Sequence, residues 1–426
     1  MGLRETLARL ALDGPVPVFV VAGGGLDHEL VRLKLDPRIR LVSTPRSANV
    51  MLAMGAPTSR LLRPAARVHD QMSHPRATVW APGSASIDRI TRLFPEIGIV
   101  RAPDDPVDHV LATHERLIHG ERPSEPDVLP NEEPNPWRGV GPYGQGGKGM
   151  TGGVPYGRPL PQRSGDRDGL ELDVLDLRVG PFFPHLPAGF EMTVKLQGDI
   201  VQEVRIHRPP RAGIRSDLHD PVLQRVAAES VCIAELELAR ARHHVLGFAG
   251  ALHFHGLQAL GRRVARMATT LSPDSAPTIL RLRRLVPTTG VLSWSTKGVG
   301  VVSRALAEEL RGPNARASGV LRDLRAHDPT YQALGFEPIG REEGDAAARW
   351  KQRIDEAIQS VELARRAEGA RTTPGLGVEG PRGPIGSPTL TSRDDLSIVT
   401  GLIEGMEWGD ALTTIVSLDL GPMVQL

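Results

Sequence analysis

Histidines fall close together at His243, His244, His253 and His255, and an imidazole can bind a metal, accept a proton or give one. His244 and His255 are eleven residues apart and share a face if one helix carries both. A metal site would want the His-x-x-x-His spacing or converging carboxylates, and that spacing is missing. No metal ligands and no cofactor-binding residues are assigned on this ground, and the histidines read as buried or interfacial. Proton transfer needs no metal, and His185, His244 and Asp419 are the candidates for acid–base chemistry. No nucleophile–base pair accompanies them. Gly23-Gly24-Gly25 follows an apolar run, but it lacks the full G-x-G-x-x-G pattern and reads as a tight turn. Gly146-Gly147-Lys148 has Gly149 where a phosphate loop needs Ser or Thr. Arg316, Asp323 and Arg325 form a dense polar run that reads as a buried ion-pair network holding loops together.

The 426 residues contain one cysteine, Cys232. A lone cysteine excludes a disulfide framework and fits a reducing cytosol. With 51 basic and 50 acidic side chains, charge gives no global pull toward nucleic acid or anionic lipid. No segment approaches the roughly 18–20 uninterrupted apolar residues that cross a bilayer. The first residues, MGLRETLARLALDG, read as a short amphipathic helix without a cleavage site. The expectation is a soluble chain whose membrane attachment, if any, comes through partners.

The elements that would position these residues divide in two. From 17 to 120, short β runs (VFVVA, RIRLV, NVMLAMG, TVWAPG, GIV) alternate with helical stretches (26–35, 59–72, 106–120), which predicts a doubly wound α/β domain with a parallel sheet. Residues 121–169 are acidic and Pro-rich, then Gly-rich. They read as a linker or arm that orders against another surface, 135–160 included, because such composition buries too little to offset its own ordering entropy. Residues 170–426 form an α+β, mainly helical domain. ELDVLDLRVG and FEMTVKLQGDIVQEVRIHR alternate as antiparallel strands with a turn at Gln197-Gly198-Asp199. Helices are expected over 222–267, 344–369 and 395–405, and WGDALTTIVSLDLG closes the chain's last element.

The second region resembles the large catalytic subunit shared by complex I (the 49-kDa or D type) and nickel–iron hydrogenases. KGVGVVS, GPNARASG and DLR, all within 297–336, carry the resemblance. Gly344-Asp345, Arg349, Arg353, Ser360, VEGPRGPIG, GDALTTIVSLDLG, the helix ELARARHHVLGFAG and the hairpin GPFFPHLPAGFEMTVKLQGD extend it. Residues 1–120 resemble the B-type, or hydrogenase small-subunit-like, flavodoxin-like domain through STPRSANVMLAMG, RVHDQM and PDDPVDHVLATHERL. Together they look like a fusion of two NADH-quinone oxidoreductase-like subunits.

The resemblance implies four-iron clusters, a nickel–iron or quinone site and, by family habit, NAD chemistry nearby. At the positions where it implies ligands, this sequence has Gly23 to Gly25, Ser84, Ala85, Ala102 and Pro103 instead of cysteines. Phe183 and Pro187 replace the hairpin histidines, with His185 out of register between them. The segment RPPRAGIRSDLHD has no tyrosine for a quinone, and LDLGPMVQL has no terminal cysteine pair. Cys232 matches none of these positions. His244 keeps the helix motif's histidine.

The expectation is therefore a multi-subunit, complex I-like assembly in which this chain binds no iron–sulfur cluster and no nickel–iron centre. It would lie peripherally on the cytoplasmic side of a bacterial inner membrane, beside antiporter-like and proton-channel-like membrane subunits, and couple conformationally to proton translocation. The hairpin at 181–189 would be a mobile contact, with Phe182, Phe183 and Phe190 offering an apolar surface. The alternative is an enzyme that uses the remnant quinone cleft for acid–base chemistry or small-molecule binding.

Overall fold

The computed structural model describes residues 3–22, 27–55, 59–81, 88–94, 98–99, 105–130, 163–165, 169–187, 189–207, 220–226, 229–285, 290–373, 377–385 and 392–420. The glycine turn at 23–25, the Gly146–Lys148 loop, the positions of Ser84, Ala85, Ala102 and Pro103, the arm at 135–160 and the segment 208–219 lie outside them.

The first region runs α1 (Leu3–Leu12), β1 (Val16–Ala22), α2 (Asp27–Leu35), β2 (Ile39–Leu41), β3 (Val50–Met54), α3 (Ser59–Asp70), β4 (Ala77–Ala81), α4 (Asp88–Leu93), β5 (Gly98–Ile99) and α5 (Pro106–His119). The five strands are all parallel in the order β2-β1-β3-β4-β5. Alternation along the strands sends Val18, Val50 and Leu52 to one face, where α2 and α5 cover them. Phe19, Met51 and Trp80 go to the other, under α3 and α4. Both faces are dry, which is why β3 is buried at every position. The parallel sheet with helices on both faces agrees with the sequence expectation, whereas α4 is not legible there.

Residues 121–130 are fastened to this sheet. Glu125 accepts hydrogen bonds from the Thr78 amide (3.0 Å), the Thr78 hydroxyl (2.8 Å) and Arg122 (2.6 Å). Its carboxylate also lies 3.2 Å from His69 Nε2. Asp70 accepts from the amides of Val128 and Leu129, 2.9 Å each. Glu125 is thus an anchor of this Pro-rich stretch rather than a solvated charge.

The second region opens with an antiparallel sheet of β6 (Arg163–Gly165), β7 (Glu171–Val179), β8 (Met192–Gln197) and β9 (Ile200–Ile206). Helices follow: α6 (Pro221–Arg225), α7 (Ile233–Phe254), α8 (Gln258–Thr269), α9 (Ala276–Leu285), α10 (Val291–Thr296), α11 (Arg304–Ala307), α12 (Gly312–Arg316), α13 (Pro329–Ala333) and α14 (Ala346–Arg366). A small ribbon, β10 (Val378–Gly380) and β11 (Gly383–Ile385), precedes α15 (Ser392–Ile403) and α16 (Trp408–Leu418). Phe248, Leu252, Ile279 and Trp350 join α7, α8, α9 and α14 in one core. Met192, Val194 and Val201 of the sheet pack under α15 and α16.

The two regions touch. Val31 and Leu35 of α2 pack on the α7–α8 core, Phe182 reaches the first sheet's core, and Arg60 pairs with Glu191 at 3.4 Å.

Candidate functional site

Helices α7 and α14 lie side by side, and each turns charged residues inward. Glu237, Arg240 and His244 share one face of α7, while Arg349, Arg353 and Glu356 share one face of α14; all are buried. Such a face is tolerable only where charges are paired and hydrogen-bonded, and the pairing here is dense. Glu237 takes the Tyr331 hydroxyl at 2.7 Å, Arg325 at 3.1 Å and Arg240 at 3.2 Å. Arg325 grips Asp323 in a two-point pair. Arg316 forks onto Glu356 at 2.8 and 2.9 Å and reaches Asp323 at 3.2 Å and Glu379 at 3.0 Å. Arg240 also donates to the carbonyls of Gly380 and Glu379, tying the β10–β11 ribbon to α7. The ion-pair network read from Arg316, Asp323 and Arg325 is present, and it extends well beyond those three.

Two glycines let the loops come this close. Gly312 has φ +60°, and a Cβ there would sit 2.4 Å from the Arg382 carbonyl oxygen; Gly344, at φ +66°, would place one 2.3 Å from the Val302 carbonyl oxygen. Any side chain would be excluded twice, by conformation and by contact.

At the outer end of the network stands Asp419, the C-cap of α16, itself at φ 51°. His243 Nε2 lies 2.8 Å from Asp419 Oδ2, Arg382 Nη2 is 3.1 Å from Oδ1, and Arg353 is 3.8 Å away. Burial raises the Asp419 carboxyl, but Arg382, His243 and Arg353 outweigh it and hold it far below the usual carboxylate range. The ionised carboxylate only accepts, so Nε2 of His243 carries the proton between them. This geometry can hold or pass a proton at His243.

His244 is placed differently. It is fully buried, its Nε2 is 3.5 Å from Glu356 Oε2, and neither ring nitrogen makes a hydrogen bond among the described residues. Burial, then His243 and Arg353, push its pKa well below normal, so the ring is neutral. Arg349, buried and beside Arg353, is lowered to about 9. It donates to the Ser417 hydroxyl and to the carbonyls of Gly300 and Gly344.

Of the acid–base candidates, the structure brings Asp419 and His244 into one polar interior without joining them, since it is His243 that meets Asp419. His185 belongs elsewhere, in the loop before β8, where its ring lies edge-on to Phe254 at 5.7 Å. The expectation that His244 and His255 share one helical face is corrected, because α7 ends at Phe254 and His255 is its C-cap. The apolar surface expected from Phe182, Phe183 and Phe190 is also corrected. Phe190 is in the second core, Phe182 packs on the first, and only Phe183 is exposed. Sequence reasoning missed His243, Arg382 and Glu356 as members of the site. The i, i+7 spacing of Arg349 and Glu356 was the available signal.

Cys232 is the N-cap of α7, half-buried, and bridges antiparallel to Arg371. A thiolate-held cluster needs about four cysteines, so a single thiol does not fit such a group. Among the described residues no group of three or more His, Cys, Asp or Glu could hold a metal ion, and no helix is long and apolar enough to cross a membrane.

Residues 258–375 match the family model of the respiratory-chain NADH dehydrogenase 49 Kd subunit. The second D-type subunit of NADH-quinone oxidoreductase from Sinorhizobium medicae is 46% identical over 84 residues, 19% of this chain and 21% of the relative. The D-type subunit of the Clostridium beijerinckii enzyme is 37% identical over 98 residues, 22% and 26% of the two chains. The matches thus span about a quarter or less of these relatives' length. A chain from the membrane-bound sulfane sulfur reductase, an archaeal respiratory membrane complex, superposes with a TM-score of 0.46 at 18% identity, covering 59% of this chain and 98% of that one. The protein carries a region like the 49-kDa, or D-type, component of complex I, and Arg316, Asp323, Arg325, Arg349, Arg353 and Glu356 all lie within it.

Proposed function

We propose that the chain is a peripheral-arm component of a membrane complex related to complex I and the energy-converting hydrogenases, acting there in non-redox coupling or as a scaffold. The observation that carries this is a D-type region in a chain with one thiol, and that thiol caps a helix. A retained charge network without ligands for a cluster suits transmission of a conformational change rather than electrons. The five-stranded parallel sheet supports reading residues 1–120 as the B-type, small-subunit-like half, and the remainder of 170–426 as the rest of the D-type half. The partners would be antiporter-like and proton-channel-like proteins, met from the cytoplasmic side of the membrane. Phe183 is then the exposed apolar contact of the 181–189 loop.

Purification of the tagged chain from its native membranes tests the proposal. It should bring down multi-spanning partners and carry far less than one iron per chain. Stoichiometric iron with a cluster signal in electron paramagnetic resonance would overturn it.

The His243–Asp419 pair favours a second reading, acid–base chemistry on a small molecule in the remnant cleft. Turnover by the isolated chain that is lost in His243→Gln would select that reading over the first.

A further inference from the structure

The antiparallel sheet of the second region has one strand that is only partly paired. β7 runs from Glu171 to Val179, and β6 pairs with it at 171–173 alone. Along 174–179 its outer edge has no strand beside it among the described residues. The inner edge pairs with β8 over those same residues, Leu177 opposite Val194 and Leu175 opposite Leu196. Val194 and Leu196 are buried with α15 and α16. Leu175 and Leu177 carry the same apolar face one strand further and stay 61% and 38% exposed. An apolar edge of this kind is a template for another strand.

The other face of β7 says which strand fits. A row of charges of alternating sign crosses the sheet there. It runs from Glu203 on β9 to Lys195 on β8, 2.9 Å apart, and then to Asp176 on β7, opposite Lys195. The row stops at Asp176, which is exposed, and a cation on the next strand would continue it. β7 itself carries one two residues on, on the same face: Arg178, exposed at the strand's outer side.

We propose that β7 docks antiparallel against β7 of a second copy of this chain, joining the two four-stranded sheets across a two-fold axis at Leu177. Such an axis, perpendicular to the sheet, keeps every residue on its own face. Asp176 then stands opposite Arg178 of the second copy, twice by symmetry. Leu177 meets Leu177 and Leu175 meets Val179 on the face beside α15 and α16, which removes both exposed leucines from water. The register is selected by charge. An axis one residue earlier sets Asp176 against itself, one residue later sets Arg178 against itself, and like charges directly opposite repel. Arg178 also pairs with Glu191 of its own chain, so the ion pairs of the seam fix register more than they add affinity. This docking does not rest on the coupling role proposed above.

The test is the mass of the full chain by sedimentation equilibrium over a range of concentrations. The wild type should dimerise, and Asp176→Arg should weaken the dimer about tenfold, since both pairs become like-charged. Arg178→Asp should do the same. An equimolar mixture of the two variants should restore a dimer, now mixed, because opposite charges face each other again across the seam. Leu177→Lys changes an exposed position on the axis and should also give monomer, with cooperative melting showing that each variant is folded. A wild type that stays monomeric at micromolar concentration would overturn the proposal. So would a dimer indifferent to Asp176→Arg and Leu177→Lys, or a mixture of the folded charge variants that fails to associate. Amides of 174–179 that gain protection from hydrogen exchange only when another protein is added would overturn it too.

Discussion

Asp419 concentrates the electrostatics of the second region, for it answers Arg382, Arg353 and His243 at once. Asp419, His243 and Arg382 are only half-buried, so removing the carboxylate costs less than the ~3–5 kcal/mol of a fully buried pair. Asp419→Asn keeps the shape and removes the charge, so it should destabilise the fold by about 2 kcal/mol, the scale of hydrogen bonds to a charged group, in urea denaturation near neutral pH. The sign with pH follows from the carboxyl being lowered below its ordinary 3.8. Its contribution is complete above that value and is lost as pH falls through the lower folded value. The gap between wild type and Asp419→Asn should therefore be flat from pH 7 to 5 and shrink only below about pH 4. A gap that closes near pH 6 instead would assign the effect to a histidine.

At the scale of elements, the glycines that admit the loops make a sharp comparison. Gly298 and Gly344 both have positive φ, 74° and 66°, but a Cβ at Gly298 meets open space and one at Gly344 meets the Val302 carbonyl. Gly298→Ala should cost about 1–2 kcal/mol, the left-handed penalty alone, and Gly344→Ala clearly more, as read by their melting temperatures. Much of this architecture is legible in the sequence. VFVVA, NVMLAM and TVWA are short apolar runs bounded by turns, and they form the parallel strands β1, β3 and β4. The strand ELDVLDLRV is legible as β7, but its surroundings are not: Leu175 and Leu177 point to the face that α15 and α16 cover only at β8 and β9, so they stay exposed. The polar interior is the least legible part. Glu237 and Arg240 at i, i+3 look like an ordinary solvated pair on a helix surface, and only α14 together with Arg325, Tyr331 and the β10–β11 ribbon, all distant in sequence, make that surface an inside.

On the scale of the whole molecule, the two regions meet through apolar contacts of α2 and through Phe182, with Arg60–Glu191 at the edge. Arg60 is exposed although Glu191 is buried, and at 3.4 Å a pair with one solvated partner adds little, so the apolar contacts should dominate. Leu35→Asp is expected to speed hydrogen exchange in α2 and α8 while leaving β1, β3 and β4 protected. Equal loss of protection across the sheet would show instead that the first region cannot stand without the second.

The charge lattice between α7 and α14 also constrains how such a sequence can change over generations. A side chain packed in oil can be swapped for a neighbour of similar size at small cost. A guanidinium shared by three carboxylates, as Arg316 is, can be replaced only if its partners change with it. Single steps away from the lattice each strand a charge, and a marginally stable fold survives few of those. Such a region is expected to drift slowly while turns and surfaces around it are rewritten; Arg316, Asp323, Arg325 and Glu356 of the lattice lie in the matched stretch 258–375, and Glu237, Arg240 and Glu379 lie outside it.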